Sequence, residues 1–116
     1  MAEQNLPTKW ATERAHPRLP FDGAVSVITP EPDRTLLRGR CVDISMSGMS
    51  ARIPADLSVG VIVQIEFKLP SVRDPFQLRA IVRNRLITRY GFEFLAPNPE
   101  QLTQLHRFCE TLKILQ

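Results

Sequence analysis

Between residues 61 and 69 one face of the chain stays apolar at every second residue. Val61, Val63, Ile65, Phe67 and Leu69 share that face, and Gln64, Glu66 and Lys68 lie on the other. A period of two marks a strand with one buried face. A helix over the same span would scatter those residues around its whole circumference. The pattern recurs along the chain. Phe76, Leu78, Ala80 and Val82 oppose Gln77, Arg79 and Arg83. Tyr90, Phe92 and Phe94 share a face, as do Met49, Ala51 and Ile53 against Ser50 and Arg52. Val25 and Val27 oppose Ser26 and Ile28. In the strand over 35–44, Val42 and Ile44 are expected on one face, and Cys41 and Asp43 on the other. Proline supplies the punctuation, with 10 in 116 residues, about twice the usual share of roughly 5%. Pro30 and Pro32 end one strand and Pro54 another, because proline cannot donate to a ladder. This density argues against a helical bundle.

After residue 95 the period changes. Asn98 can cap, Pro99 suits a first helical position, and Gln101 stands where a capping-box partner belongs. Leu102, Leu105, Cys109 and Leu112 follow at helical spacing, with Phe108 and Leu115 widening the stripe. The reading is a helix over about 99–115. Six one-faced strands and one helix make an all-β fold with a single C-terminal helix. An open sheet of six such strands leaves edges exposed, and closure into a six-stranded antiparallel β-barrel removes them. The helix then covers an open end or flank. Residues 1–20, marked by Pro7, Pro17 and Pro20, show no period and read as a flexible N-terminal arm. Residues 21–116 form the barrel and its helix. Trp10 is expected to pin the arm to the barrel surface.

A chain of 116 residues is too short for an enzyme with separate cofactor and substrate domains. No apolar run is long enough to span a bilayer, and the first residues lack the apolar core of a signal peptide. Cys41 and Cys109 lie far apart with no CxxC, and His16 and His106 do not join them, so no zinc site is expected. These points lead to a soluble, thiol-reduced, cytoplasmic protein. Met1 and the helix at the end are what a complete chain would show. No nucleophile stands beside a base, and no phosphate-binding glycine loop occurs, so an enzyme is not expected. The net charge is only +3, too mild for wrapping duplex DNA. Of 15 basic residues only Lys9, Lys68 and Lys113 are lysine. Arginine offers a planar fork for phosphates and guanine edges, although codon usage also produces such an excess. Arg34, Arg38, Arg40 and Arg52 read as solvated strand faces that could add positive field.

Two short segments stand out. Arg14-Ala15-His16-Pro17-Arg18 sets two guanidiniums roughly 12 Å apart in extended chain, enough to clasp a ligand between them. Two solvated arginines in a tail satisfy the same spacing. Asp43-Ile44-Ser45-Met46-Ser47-Gly48 sits where one strand ends and the next begins. Asp43 and Ser45 are expected on one side, with Gly48 allowing a positive-φ turn. A carboxylate can accept from the Watson–Crick N–H groups of guanine, and a hydroxyl can bond a phosphate or base edge. A hairpin turn that satisfies its own backbone is the plainer alternative.

In this order, with 24 residues between them, the segments resemble the two signatures of the PilZ domain, RxxxR and [D/N]xSxxG. Val59-Gly60-Val61 and Tyr90-Gly91-Phe92-Glu93-Phe94 extend the resemblance over about residues 13–115. It implies a barrel with a C-terminal helix that receives cyclic di-GMP, with no other cofactor. Arg14 and Arg18 would hold phosphates and guanine edges, Asp43 and Ser45 would bind a guanine from the other side, and Gly48 would shape the turn. The arm would order over the ligand and pass the signal to a downstream protein partner, in processes such as motility or biofilm formation. No DNA and no membrane insertion are implied, and a monomer or weak homodimer is expected. Glu13 stands where many family members carry a basic residue, which is expected to weaken the ligand. Two rivals remain: an adaptor in pilus or motility machinery that ignores nucleotide, and an arginine-rich barrel for single-stranded nucleic acid. The second needs exposed aromatics, whereas Tyr90, Phe92 and Phe94 share an inward face.

Overall fold

The computed structural model describes residues 17–70 and 72–115. Among them the strands are β1 (Leu19–Pro20), β2 (Ala24–Ile28), β3 (Leu36–Ile44), β4 (Gly48–Arg52), β5 (Ile62–Phe67), β6 (Phe76–Leu86) and β7 (Arg89–Phe94). A helix, α1, spans Pro99–Ile114. Pairing runs β2–β3–β4–β7–β6–β5 and returns to β2, antiparallel throughout. The six longer strands therefore close on themselves, as six one-faced runs require. β1 is an addition: Leu19 lies opposite Ile44 and Pro20 opposite Asp43 on β3. The barrel thus carries the stretch just after Arg18 directly alongside Asp43.

The alternating residues fill the interior. Val27, Ile65, Ala80, Val82 and Tyr90 are fully buried. Val25, Val63, Phe67, Leu78, Phe92 and Phe94 are nearly so. Each large apolar side chain buried in this way contributes about 1.5–3 kcal/mol. Two predicted faces differ from the structure. In β3 both Cys41 and Ile44 point into the core, where strict alternation would put one of them outside. The cause is a bulge: Cys41 pairs with Ala51 but Asp43 pairs with Ser50, leaving Val42 as an extra residue. In α1 the stripe is narrower than its sequence pattern. Leu105, Phe108, Cys109 and Leu112 are buried, while Leu102 and Leu115 are exposed.

The start of α1 is built as its sequence predicts. Asn98 Oδ1 accepts from the Gln101 amide at 2.8 Å, and Gln101 Oε1 accepts from the Asn98 amide at 3.0 Å. The same Gln101 donates from Nε2 to the Gln77 carbonyl at 2.6 Å, tying the helix to β6. Phe108 meets Phe21 edge-on at 4.8 Å, so the helix packs beside the entry to the barrel. No helix among the described residues is long and apolar enough to cross a membrane.

Candidate functional site

The site grows out of the β3 bulge. Bulges bend a strand and re-aim its side chains. Here the extra residue turns Asp43 away from the core that Cys41 enters. The bulge is braced on both sides. The Phe21 amide donates to the Val42 carbonyl at 3.1 Å, and the Cys41 amide donates to the Gly23 carbonyl at 2.7 Å. Cys41 Sγ also donates to the Asp43 carbonyl at 3.3 Å. Burial, followed by the nearby Asp43 carboxylate, pushes the Cys41 thiol up to about 12. At neutral pH it is therefore a protonated donor and not a nucleophile.

Asp43 sits between two guanidiniums. Arg18 Nη1 lies 3.5 Å from Oδ1. Arg89 Nη2 donates to Oδ2 at 3.3 Å. The Asp43 side chain is 18% exposed, against 47% for Arg18 and 45% for Arg89. Oδ1 is buried and finds no hydrogen-bond partner among the described residues, because the Arg18 contact is an ion pair without bonding geometry. An unmet buried acceptor costs about 1–3 kcal/mol. A ligand N–H offered at this point removes that cost.

Ser45 takes a different part from Asp43. It is 1% exposed. Its Oγ accepts from the Ser47 amide at 3.1 Å and donates to the Gly48 carbonyl at 3.4 Å. The Ser45 amide also donates to the Gly48 carbonyl, at 2.8 Å. The hydroxyl thus holds the turn together. Gly48 corrects an expectation as well. Among the described glycines only Gly60 has a positive φ, at 98°. Gly48 is required for close approach: a Cβ there would lie 2.1 Å from the Phe92 carbonyl oxygen of β7. Arg14 and Trp10 lie outside the described residues, so of the RxxxR pair only Arg18 is placed.

Arg89 is the residue that sequence reasoning missed. It precedes Tyr90 at the start of β7 and carries no motif of its own. Its place becomes visible only once β4 and β7 are paired, with Arg52 opposite Arg89. Arg40 and Arg34 serve elsewhere: Arg40 donates to Asp22 at 2.9 Å, and Arg34 lies 4.0 Å from Glu31. No cluster of His, Cys, Asp and Glu among the described residues could hold a metal ion.

Fold and site together define a small barrel module whose carboxylate and arginines gather on its surface at the β3–β4 junction. The chain belongs to the PilZ domain family, whose model matches residues 12–111. Comparison with curated proteins finds no match. Solved structures of the same fold include the PilZ domain of CeSA from a cellulose-synthesizing bacterium. It is 25% identical, with a TM-score of 0.66, covering 84% of this chain and 98% of that one. YcgR from Escherichia coli, solved in complex with c-di-GMP, is 28% identical with a TM-score of 0.69. That match covers 86% of this chain and 46% of YcgR. The Bacillus subtilis inhibitor of motility, MotI, is 16% identical over 87% of this chain and 51% of its own, with a TM-score of 0.72. At that identity the likeness is one of fold alone.

Proposed function

We propose that the chain is a receptor for cyclic di-GMP that acts by binding and carries out no bond chemistry. The observation that carries this reading is Asp43: a bulge aims it outward, two guanidiniums flank it, and one of its oxygens is buried without a hydrogen-bond donor among the described residues. A guanine presents adjacent N–H groups to such a carboxylate, and its O6/N7 edge and the phosphates suit arginine. The complex of YcgR with c-di-GMP supports the choice of ligand. Arg18 takes the phosphate and guanine role here, together with Arg14. On binding, guanine replaces the guanidiniums as the partner of Asp43, and Arg18 and Arg89 turn to the phosphates. That exchange of partners is the event a downstream protein reads.

Ser45 favours a second reading, since its hydroxyl is already satisfied within its own turn. In that reading the domain is an adaptor that binds protein and ignores nucleotide. Titration calorimetry with cyclic di-GMP separates the two. The receptor gives saturable heat at micromolar ligand. Arg18→Ala weakens binding about 10- to 150-fold, the equivalent of one charge-assisted hydrogen bond of about 1.5–3 kcal/mol. The melting temperature stays within a degree or two, because Arg18 is half-exposed. Absence of heat from folded wild-type protein at tens of micromolar ligand sinks the receptor reading.

A further inference from the structure

The strand registers place four residues in one row across the outer face of the barrel. Arg40 of β3 faces Arg52 of β4, Arg52 faces Arg89 of β7, and Arg89 faces Leu86 of β6. At about 4.8 Å per strand the row spans about 14 Å. Like charges directly opposite each other destabilise a sheet, so three adjacent arginines are not what strand pairing alone selects. Arg40 leans on Asp22 and Arg89 on Asp43, while Arg52 is exposed with no ion-pair partner among the described residues.

The row ends at the β6–β7 hairpin tip, where Leu86 and Ile87 are 73% and 77% exposed. Two-residue hairpin loops favour sequences such as Asn-Gly. This one holds a β-branched residue, Ile87, at φ 57°, a conformation that such side chains rarely adopt. The tip is nonetheless braced. Arg85 Nε donates to the Ile87 carbonyl at 2.7 Å, and the same guanidinium holds Asp56. A strained backbone persists only where its surroundings over-determine it, and such places concentrate at functional positions. Two exposed aliphatic side chains held out on a braced tip, beside arginines of the kind enriched at interfaces, offer apolar area next to positive charge.

We propose that this row and tip form the docking surface for a partner protein. The partner presents an apolar pocket to Leu86 and Ile87, and a carboxylate to Arg52, which has no ion-pair partner among the described residues. A protein fits better than an anionic bilayer because Asp56, with 90% of its side chain exposed, stands beside Arg85 at the tip. A bilayer of anionic lipid repels that carboxylate, whereas a protein surface can match mixed charge. Arg89 also touches Asp43, so the surface is continuous with the candidate ligand site. Control of docking by the ligand rests on the receptor reading above, and docking itself does not.

The test places a photo-crosslinking amino acid at position 87 in cells that naturally produce the protein, with position 114 as control. The captured protein is then purified and titrated against wild type, Leu86→Ser, Arg52→Glu and Leu102→Ser. All three substituted side chains are exposed, so the fold is retained. The expected result is at least tenfold weaker binding for Leu86→Ser and Arg52→Glu, and a change within twofold for Leu102→Ser. The crosslinked segment of the partner carries Asp or Glu. The proposal is overturned by crosslinks only to a second copy of the chain, only to lipid, or to nothing. It is also overturned if Leu86→Ser and Arg52→Glu bind the partner as wild type does. Cyclic di-GMP titrations separate this from the receptor reading. If wild type takes up no nucleotide yet docks through its tip, only the receptor reading falls. If the variants bind nucleotide normally and also keep the partner, only the docking surface falls.

Discussion

Tyr90 and Asp43 each carry a buried oxygen, one inside the barrel and one at its surface, and the fold treats them in opposite ways. The Tyr90 hydroxyl donates to the Ala55 carbonyl at 2.6 Å and accepts from the Leu57 amide at 2.9 Å. Its ring is fully buried, and the Arg85 guanidinium covers it at 5.2 Å from the centroid. Every polar need at that corner is met. At the other corner Asp43 has two arginines beside it, and still its Oδ1 lacks a hydrogen bond among the described residues. Buried polar atoms are paired in nearly all native proteins. The Tyr90 corner shows that this chain can finish such an arrangement. The difference separates a part whose polar groups are all met from a part that, in the receptor reading proposed above, a ligand completes.

Three substitutions break or sharpen that contrast. The largest effect belongs to Gly48→Ala, because the new methyl group meets the Phe92 backbone, which cannot step aside as a side chain would. We expect a loss of about 3 kcal/mol or more in urea denaturation. A wild-type midpoint would show that the β4–β7 approach is looser than the geometry implies. Tyr90→Phe comes next. It strands the Ala55 carbonyl and the Leu57 amide without their partner, at about 2 kcal/mol, and nucleotide affinity stays within twofold. A marked loss of affinity would join the two corners that the structure separates. Asp43→Asn has the smallest effect on stability. It weakens two ion pairs whose arginines are half-exposed, at about 1 kcal/mol, yet lowers cyclic di-GMP affinity at least tenfold in calorimetry. If the variant instead loses stability and keeps affinity, Asp43 is a structural residue like Tyr90.

The strands and the helix were legible because period two and period 3.6 are imposed by burial itself. The run from Val61 to Leu69 declares its buried face, and Asn98, Pro99 and Gln101 declare the start of the helix. The bulge at Val42 was not legible. Alternation counts residues evenly, and an inserted residue reverses the parity only after strands are paired. That single residue decides which way Asp43 faces. The role of Gly48 is hidden from local sequence for a related reason. A glycine in a turn suggests positive φ, and the need for contact with Phe92 arises on a strand more than forty residues away. Arg89 was hidden because its neighbours Arg52 and Asp43 come from other strands. The motif residues could be read from local spacing, whereas the second guanidinium beside Asp43, that of Arg89, depends on closure of the ring.

The closed ring also limits how this domain can be recognised. Within the six-strand ring a partner finds no free edge to extend, since β2 and β5, and β3 and β4, already occupy each other, and the edge at β1 is two residues long. Recognition must then go through outward side chains, such as those of Arg52, Leu86 and Ile87. Such side chains can change over evolutionary time without disturbing the hydrogen-bonded ladder. One barrel can therefore acquire new partners by surface substitution alone.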